Sequence, residues 1–287
     1  MKSDDGNSLS AGLHVVATPI GNLGDISGRA LETLRRADVI ACEDTRHSRR
    51  LLTHFGISRP LMAFHEHSGR EVVEKLVERM REGAAIALIT DAGTPGISDP
   101  GYVLVRAVQD AGLPVHAVPG PSALAAALSI AGLPAHRVLF AGFPPDKAGA
   151  RARQLESLAP LDATLVFLES PRRIAGLVSD CLRIFGPREA AICRELSKRH
   201  EETVRAPLAA LAEKLRAGEI PARGEFVLLI APPAEPAATE PGEIDRMLIE
   251  AFGTMSLREA VDAVSAATNI GRRIVYQRAL ALRDMAS

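Results

Sequence analysis

The chain has 287 residues, of which 47% are hydrophobic and 24% charged, and its formal net charge is −1 at pH 7. This composition is typical of a soluble globular protein of about two domains, and the near-zero charge excludes a global field that would attract nucleic acid. The three cysteines form no CxxC pair, which argues against a structural zinc site, and no apolar run is long enough to span a membrane, so we expect a cytoplasmic protein.

Residues 1–11 lack the basic and apolar regions of a signal peptide, which predicts a disordered tail. From residue 12 to residue 119, strand-like and helix-like segments alternate, which predicts an α/β domain with a parallel sheet. The predicted strands are 13–17, 39–42, 61–64, 84–90 and 115–118, and the predicted helices are 27–36, 46–55, 70–81 and 102–108.

Residues 120–232 are predicted to form a second α/β domain with a mixed sheet. The predicted strands are 138–141, 164–168, 190–194, 202–205 and 225–230, and helices are expected near 148–158, 171–184 and 207–217. The segment 202–205, followed later by 225–230, suggests some antiparallel pairing.

The Pro-rich segment 233–242 is typical of a linker. Residues 243–287 show helical periodicity, which predicts a small three-helix module with a break at 269–271 before the last helix. Arg272, Arg273 and Arg278 are predicted on or near one face of that helix. The module either binds RNA or only covers apolar surface on the main body.

The loop 91–101 contains three glycines and two prolines and lies between a predicted buried strand and a predicted helix. Ligands bind at the carboxyl ends of strands in open α/β sheets. Glycine allows a ligand to approach the backbone closely, and proline fixes the loop before the ligand arrives. We therefore interpret this loop as part of a ligand site.

Two further loops support this interpretation. The segment 18–27 follows the first predicted strand but does not have the GxGxxG spacing of a dinucleotide site. The segment 119–123 opens a predicted helix, for which Ser122 is either only the cap or also a ligand contact. No GxxxxGK[ST] motif occurs, which argues against a P-loop nucleotide site.

Seven segments, in order along the chain, resemble the tetrapyrrole methylase superfamily, and within it the branch that acts on bacterial small-subunit ribosomal RNA. They are 16–22, 42–46, 91–101, 119–123, 169–173, 195–198 and 224–227. The resemblance implies two α/β domains that hold S-adenosylmethionine between them. It also implies a homodimer that methylates the 2′-hydroxyl of a cytidine in 16S rRNA, at the decoding centre of the small ribosomal subunit.

The cofactor is expected to contact loops and segments at the predicted strand ends, where backbone N–H and C=O groups are free. The predicted cofactor-binding residues are Pro19, Gly21, Asp91, Ala92, Gly93, Thr94, Ile97, Ser98, Pro121, Ser122, Ala123, Leu168, Glu195 and Leu196.

Methyl transfer to a ribose hydroxyl requires close alignment and the exclusion of water, but it requires no metal. Because the hydroxyl is a poor nucleophile, a carboxylate, histidine or lysine is a candidate to accept its proton. The candidates at loop or strand-end positions are Asp25, Asp44, Asp99, Glu169 and Lys198. The sequence does not choose among them, and Asp99, Glu169 and Lys198 form our working catalytic set.

Local basic residues are the candidates for RNA contact. Arg46 and Arg49 lie about one helical turn apart in the densest basic cluster, and His65 and Arg173 occur in family segments or strand ends. The alternative for each is an ordinary solvated or structural side chain. Likewise, His65-Glu66-His67 has too few further ligands to predict a metal site.

Two other functions remain open from the sequence. A small-molecule methylase acting on a precorrin-like macrocycle would not need the basic cluster or the C-terminal module. A non-catalytic rRNA-binding assembly factor would not need an intact set of cofactor loops.

Overall fold

The computed structural model describes residues 9–65, 68–98, 101–233, 241–268 and 270–285. The first sheet is built from β1 (Gly12–Val16), β2 (Val39–Cys42), β3 (Leu61–Ala63), β4 (Ala85–Ile89) and β5 (Val115–Val118). All its pairings are parallel, in the order β3-β2-β4-β1-β5. The predicted parallel sheet is therefore confirmed.

Four helices cover the two faces of this sheet: α1 (Gly28–Arg36), α2 (Thr45–His54), α3 (Arg70–Arg81) and α4 (Tyr102–Asp110). Leu34 of α1 and Leu52 of α2 pack in one core cluster, whereas Leu76 of α3 and Leu104 of α4 pack in another. The connections that follow the adjacent strands β1 and β4 thus leave on opposite faces. Such a switch point opens a crevice at the carboxyl ends of the strands.

The second sheet contains β6 (Val138–Gly142), β7 (Thr164–Glu169), β8 (Glu189–Arg194), β9 (Glu202–Pro207) and β10 (Phe226–Ile230), in the order β6-β7-β10-β8-β9. Only β6 and β7 pair in parallel. The predicted mixed sheet and its antiparallel pairing are confirmed: β9 pairs antiparallel with β8, and β8 pairs antiparallel with β10.

The helices of this region are α5 (Ala123–Ile130), α6 (Ala148–Leu158), α7 (Ile174–Phe185) and α8 (Leu208–Ala217). The core on one sheet face includes residues of α6, α7 and α8, and the core on the other face includes Ala127 of α5. Ile20, from the loop after β1, is buried in this second cluster. The first loop of one sheet is therefore anchored against the other sheet.

The chain divides after Pro232 into two compact units. The second unit contains α9 (Pro241–Phe252), α10 (Leu257–Thr268) and α11 (Arg272–Met285). Its core contains Leu248, Val261 and Val275. The three predicted helices are confirmed, whereas most of the predicted linker and Asn269 of the predicted break lie outside the described residues.

Arg272 pairs with Asp262, and Arg278 donates to both oxygens of Asp245 at 2.6 Å. These two arginines therefore form ion pairs within the helix packet, whereas Arg273, which is also exposed at the start of α11, forms none with the described residues. Among the described residues, no helix is long and apolar enough to cross a membrane.

Candidate functional site

Three loops at the carboxyl edge of the first sheet are tied together by hydrogen bonds. Thr18 and Gly93 exchange backbone N–H···O bonds of 2.8 and 3.1 Å. The Thr18 hydroxyl donates to the Thr90 carbonyl at 3.0 Å, and the Thr94 hydroxyl donates to the Pro121 carbonyl at 3.2 Å. The loops after β1, β4 and β5 therefore form one connected edge.

A cavity of about 350 Å³, here called the first cavity, lies between this edge and the second sheet. It is lined by Ile20, Ala92, Gly93, Thr94, Ile97, Ser98, Ser122, Ala123, Leu124, Phe140, Phe143, Leu168, Glu169, Ser170, Pro171, Gly224, Glu225, Phe226 and Val227. Most of the walls are small or apolar, and polar atoms come from a few serines, Thr94 and two glutamates. This is the usual composition of a small-molecule site.

Eight of the predicted cofactor-binding residues line the first cavity, as does the predicted catalytic residue Glu169. The eight are Ala92, Gly93, Thr94, Ile97, Ser98, Ser122, Ala123 and Leu168. Ser122 occupies the N-cap position of α5 but makes no side-chain capping hydrogen bond. Its position on the wall therefore does not follow from capping.

The other predicted cofactor residues lie around the first cavity but not on its walls. Pro19 is buried beneath the first loop, and Asp91 accepts the Asp44 N–H at 3.4 Å. Pro121 and Leu196 border a separate shallow depression beside Asp25.

Gly21 and Glu195 belong to a network around Lys198. A Cβ atom on Gly21 would lie 2.4 Å from the Lys198 side chain. The Lys198 ammonium lies 2.9 Å from Glu195 Oε1 and 3.1 Å from Glu225 Oε2. Glu195 Oε1 also accepts the Glu225 N–H at 3.0 Å. The network therefore fixes the 195–198 loop against β10 and the first loop.

The charges of this network determine what Lys198 can do. Burial alone would lower the pKa of Lys198, but its hydrogen bonds to Glu195 and Glu225 outweigh burial and raise that pKa above its ordinary value. The Lys198 hydrogen bond conversely lowers the pKa of Glu195. Lys198 is therefore protonated near neutral pH and lines neither cavity described here, which argues against its predicted role as proton acceptor.

Glu169, at the end of β7, is only 3% exposed. Its Oε1 accepts the Ser170 N–H at 2.7 Å. Its Oε2 lies 3.0 Å from Arg173 Nη2, but that nitrogen donates to the Pro144 carbonyl and Nη1 donates to Asp146. The contact is an ion pair without the geometry of a hydrogen bond, so Oε2 is a buried carboxylate oxygen that has an ionic partner but no hydrogen-bond donor among the described residues. Because the Arg173 guanidinium is engaged inside the protein, its predicted contact with RNA is disfavoured.

Among the described residues, three other than glycine have positive φ angles: Ser98 at 60°, Glu195 at 52° and Ser197 at 65°. Such conformations cost of the order of 1–3 kcal/mol each and cluster at functional sites. Ser98 lines the first cavity, and the Ser197 hydroxyl donates to Asp25 of the first loop. The strain therefore lies in the segments that border the site.

A second cavity, of about 500 Å³, adjoins the first. It is lined by Glu43, Phe64, His65, Ser68, Val73, Ser98, Gly101, Tyr102, Val103 and Phe143. Ser98 and Phe143 line both cavities. His65, predicted to contact RNA, thus faces a cavity next to the first one. The predicted catalytic residue Asp99 lies outside the described residues.

The predicted basic cluster lies on α2, beside the second cavity. Asp44 caps this helix and accepts the N–H groups of Arg46 and His47, which hold the pKa of Asp44 below its ordinary value. Arg46, Arg49 and Arg50 are exposed and make no ion pair within the part of the chain that the structure describes. These three exposed arginines form a positive patch on α2, next to the acidic cap Asp44.

Several wall residues were not predicted from the sequence. Phe140 and Phe143 belong to β6 and the loop after it, and Tyr102 begins α4. Phe143 directly follows β6, so the expectation that ligands bind at strand ends would have identified this residue. The segment 224–227 carried the family resemblance but was not assigned to the site. Among the described residues, no group of three or more His, Cys, Asp or Glu could hold a metal ion.

Two family models match the chain: Tetrapyrrole (Corrin/Porphyrin) Methylases over residues 12–212, and the RsmI C-terminal HTH domain over residues 238–283. A curated protein of Mesorhizobium japonicum, named ribosomal RNA small subunit methyltransferase I, is 47% identical over 96% of this chain and 94% of its own length. The protein of the same name from Pseudomonas aeruginosa is 45% identical, over 95% of this chain and 98% of its own.

Solved structures show the same fold at low sequence identity. The methyltransferase CobJ superposes with a TM-score of 0.57 at 18% identity, over 80% of this chain and 95% of its own. Uroporphyrin-III C-methyltransferase from Thermus thermophilus, solved with S-adenosyl homocysteine, gives 0.52 at 22% identity over 76% and 96%. The fold, the matched family model and the relatives agree: this chain belongs to the tetrapyrrole methylase family, in its ribosomal RNA small subunit methyltransferase I group.

Proposed function

We propose that this protein transfers a methyl group from S-adenosylmethionine to the 2′-hydroxyl of a cytidine in 16S rRNA, at the decoding centre of the small ribosomal subunit. The observation that carries the proposal is the first cavity, which unites loops of both sheets in a chain whose curated relatives are named for small-subunit rRNA methylation. The cytidine, the ribose oxygen and the decoding centre come from the family resemblance.

The first cavity suits the proposed cofactor. Its apolar walls, including Ile20 and Leu168, fit a purine ring, and the backbone at Gly93 leaves room for close approach. Glu169 Oε2 is ion-paired with Arg173 but accepts no hydrogen bond from the residues that the structure describes, and an amino or hydroxyl group of a bound ligand would supply one. When bound, the cofactor supplies an electrophilic methyl group on a sulfonium sulfur.

The protein's own part in the reaction is to position the acceptor and to exclude water. The ribose oxygen forms the new bond to the methyl carbon, the electron pair of the broken C–S bond remains on sulfur, and the hydroxyl proton leaves to a base. Glu169 and Asp99 remain the proposed acceptors of that proton, since Lys198 already carries its own. No metal is invoked in this scheme.

The exposed arginines of α2 support the proposed RNA partner. Arg46 and Arg49 lie three residues apart on one helix, so both reach one stretch of phosphate backbone. The helix begins two residues after Glu43, which lines the second cavity. A strand of RNA held on α2 is thus led toward the junction of the two cavities.

The proposed assembly is a homodimer, as the family resemblance implies, and the proposed location is the bacterial cytoplasm, where small subunits are assembled. Light scattering of the full chain at micromolar concentration measures the assembly. A mass corresponding to one chain would contradict the dimer but not the activity.

The activity is tested with purified protein, radiolabelled S-adenosylmethionine and small subunits from a strain that lacks the gene. We expect transfer to 16S rRNA in the subunit, little transfer to free cytidine, and heat of binding for the cofactor alone. Binding of subunits without cofactor binding would instead support an assembly factor. Methylation of a precorrin-like compound, but not of RNA, would support a small-molecule methylase.

A further inference from the structure

The second cavity has aromatic walls that are unusually exposed. Tyr102 is 66% exposed and Phe143 is 57% exposed. The whole chain has only two tyrosines, eight phenylalanines and no tryptophan. Two of these few aromatic rings are therefore left open to solvent at one cavity, where burial would have been favourable by the hydrophobic effect.

The ring of Tyr102 is held in place by its own helix. Arg106, one turn further along α4, donates to the Tyr102 hydroxyl at 3.0 Å, and Arg106 is itself 3.7 Å from Asp110. The hydrogen bond that Arg106 donates to Tyr102 and the charge of Asp110 raise the pKa of Arg106, so the guanidinium stays charged. An exposed ring with a fixed orientation is a better stacking surface than a freely rotating one.

The position of the cavity identifies what it has to receive. It shares Ser98 and Phe143 with the first cavity. With the cofactor in the first cavity, as proposed above, its methyl group reaches the second cavity across this shared wall. The acceptor oxygen is therefore expected beside the wall. The volume of the second cavity, about 500 Å³, is that of a small-molecule site. A cavity of this volume is too small to hold a helical stem of RNA.

We propose that the second cavity binds the acceptor nucleotide in an extruded form, with its base stacked on Tyr102 and Phe143 and its ribose at the Ser98 wall. This inference rests on the proposed function. Recognition of unstacked bases by aromatic side chains is the general mode of single-strand RNA binding. Enzymes that modify a nucleotide inside a helix also have to remove it from the stack.

The charges around the cavity agree with a nucleotide. The positive patch of α2 begins beside Glu43 on one rim, where it can hold the flanking phosphates. Glu43, His65 and Ser68 place polar atoms on the cavity wall. The edge of a pyrimidine base carries both hydrogen-bond donors and acceptors, which these polar atoms could bind.

Tyr102 gives the sharpest test, because it lines the second cavity but not the first. We expect Tyr102→Ala to lower kcat/KM for methylation of small subunits by about 5- to 150-fold, the loss expected for one base–aromatic stack. Cofactor affinity, measured by calorimetry, should stay within about twofold. Tyr102→Phe should retain activity within about threefold, because it keeps the ring and loses only the bond to Arg106.

Two further variants distinguish aromatic stacking by Tyr102 from simple apolar contact, and both of these from damage to the fold. Tyr102→Leu should be as impaired as Tyr102→Ala if the aromatic face is what matters. Val138→Ala is the matched control, because Val138 is an exposed apolar residue that lines neither cavity. We expect wild-type activity from it, and unchanged thermal unfolding from all the Tyr102 variants.

The possible results keep the two proposals apart. If the wild-type protein does not methylate small subunits, the proposed function fails. If the wild-type protein is active and Tyr102→Ala is equally active, the nucleotide does not lie in this cavity. If Tyr102→Leu is fully active while Tyr102→Ala is not, the wall supplies apolar contact without stacking, and the extruded-base arrangement is wrong.

Discussion

The cofactor assignment predicts that Gly93→Val abolishes S-adenosylmethionine binding without unfolding the protein. Gly93 has φ = +81° and forms both backbone hydrogen bonds with Thr18. A Cβ atom there would lie 3.5 Å from Ile20 Cγ2, an ordinary contact, but the two methyl groups of valine extend further toward the cavity. An L-residue in this conformation costs about 1–2 kcal/mol, and a β-branched residue is more strained.

Glycine at position 96 provides the matched control. Gly96 has a similar φ of +85°, but its Cβ would meet no described atom within 4 Å and it does not line the first cavity. Gly93→Ala and Gly96→Ala should therefore lose about the same stability, ~1–2 kcal/mol. Only the change at Gly93 should weaken cofactor binding, by up to about tenfold for alanine, since ~1.4 kcal/mol of lost contact between the cofactor and this wall is a factor of ten.

The assays are calorimetry with S-adenosylmethionine and thermal unfolding with and without it. Because ligand binding stabilises the folded state by mass action, the cofactor should raise the unfolding temperature of the wild type and of Gly96→Ala, but not that of Gly93→Val. If Gly93→Val binds the cofactor like the wild type, the loop assignment is wrong. If Gly96→Ala loses binding equally, the effect comes from general loop strain and the wall has no special role.

Three other predictions concern the RNA surface, the C-terminal unit and pH. Arg46→Ala and Arg49→Ala should each weaken binding of small subunits by about 1.5–3 kcal/mol in filter binding, while Arg216→Ala on α8 should not; equal cofactor losses would refute the RNA role. Truncation after Pro233 should preserve dimerisation and cofactor binding but abolish methylation; aggregation would instead indicate a structural unit. Burial lowers the pKa of His14 below its ordinary 6.5, against a raising hydrogen bond to the Ser10 carbonyl. The unfolded state therefore binds the proton more readily, and stability present above about pH 6.5 falls as the pH drops. His14→Gln should flatten this slope in thermal unfolding between about pH 5 and 8, and an unchanged slope would refute the assignment.

The strand-end loops were predictable because their signals are local. A buried apolar run followed by glycines and prolines identifies the end of a parallel strand, and such ends share one edge of the sheet. Gly93, Thr94 and Ser122 lie on the wall of one cavity, at the strand ends where this reasoning expects a ligand, and their contact with the cofactor stays a prediction. The family resemblance then supplied the chemistry that composition and spacing do not contain.

The remaining site residues depend on long-range packing. Glu195 is predicted as a cofactor contact from its strand end, but the loop that follows turns back through positive φ angles and directs its carboxylate to Lys198. Tyr102 begins an ordinary amphipathic helix, and its exposure at a second cavity depends on where β6 and Phe143 lie. The order of the second sheet likewise rests on β8 lying between β9 and β10. Such pairings have no local signal.

Mapping ribose methylation in 16S rRNA by mass spectrometry, in a strain that lacks the gene, tests the proposed activity most directly. We expect one cytidine at the decoding centre to lose its 2′-O-methyl group. The wild-type gene should restore the methyl group, whereas the gene encoding Gly93→Val should not. An unchanged methylation pattern in the deletion strain, or full restoration by Gly93→Val, would contradict the proposal.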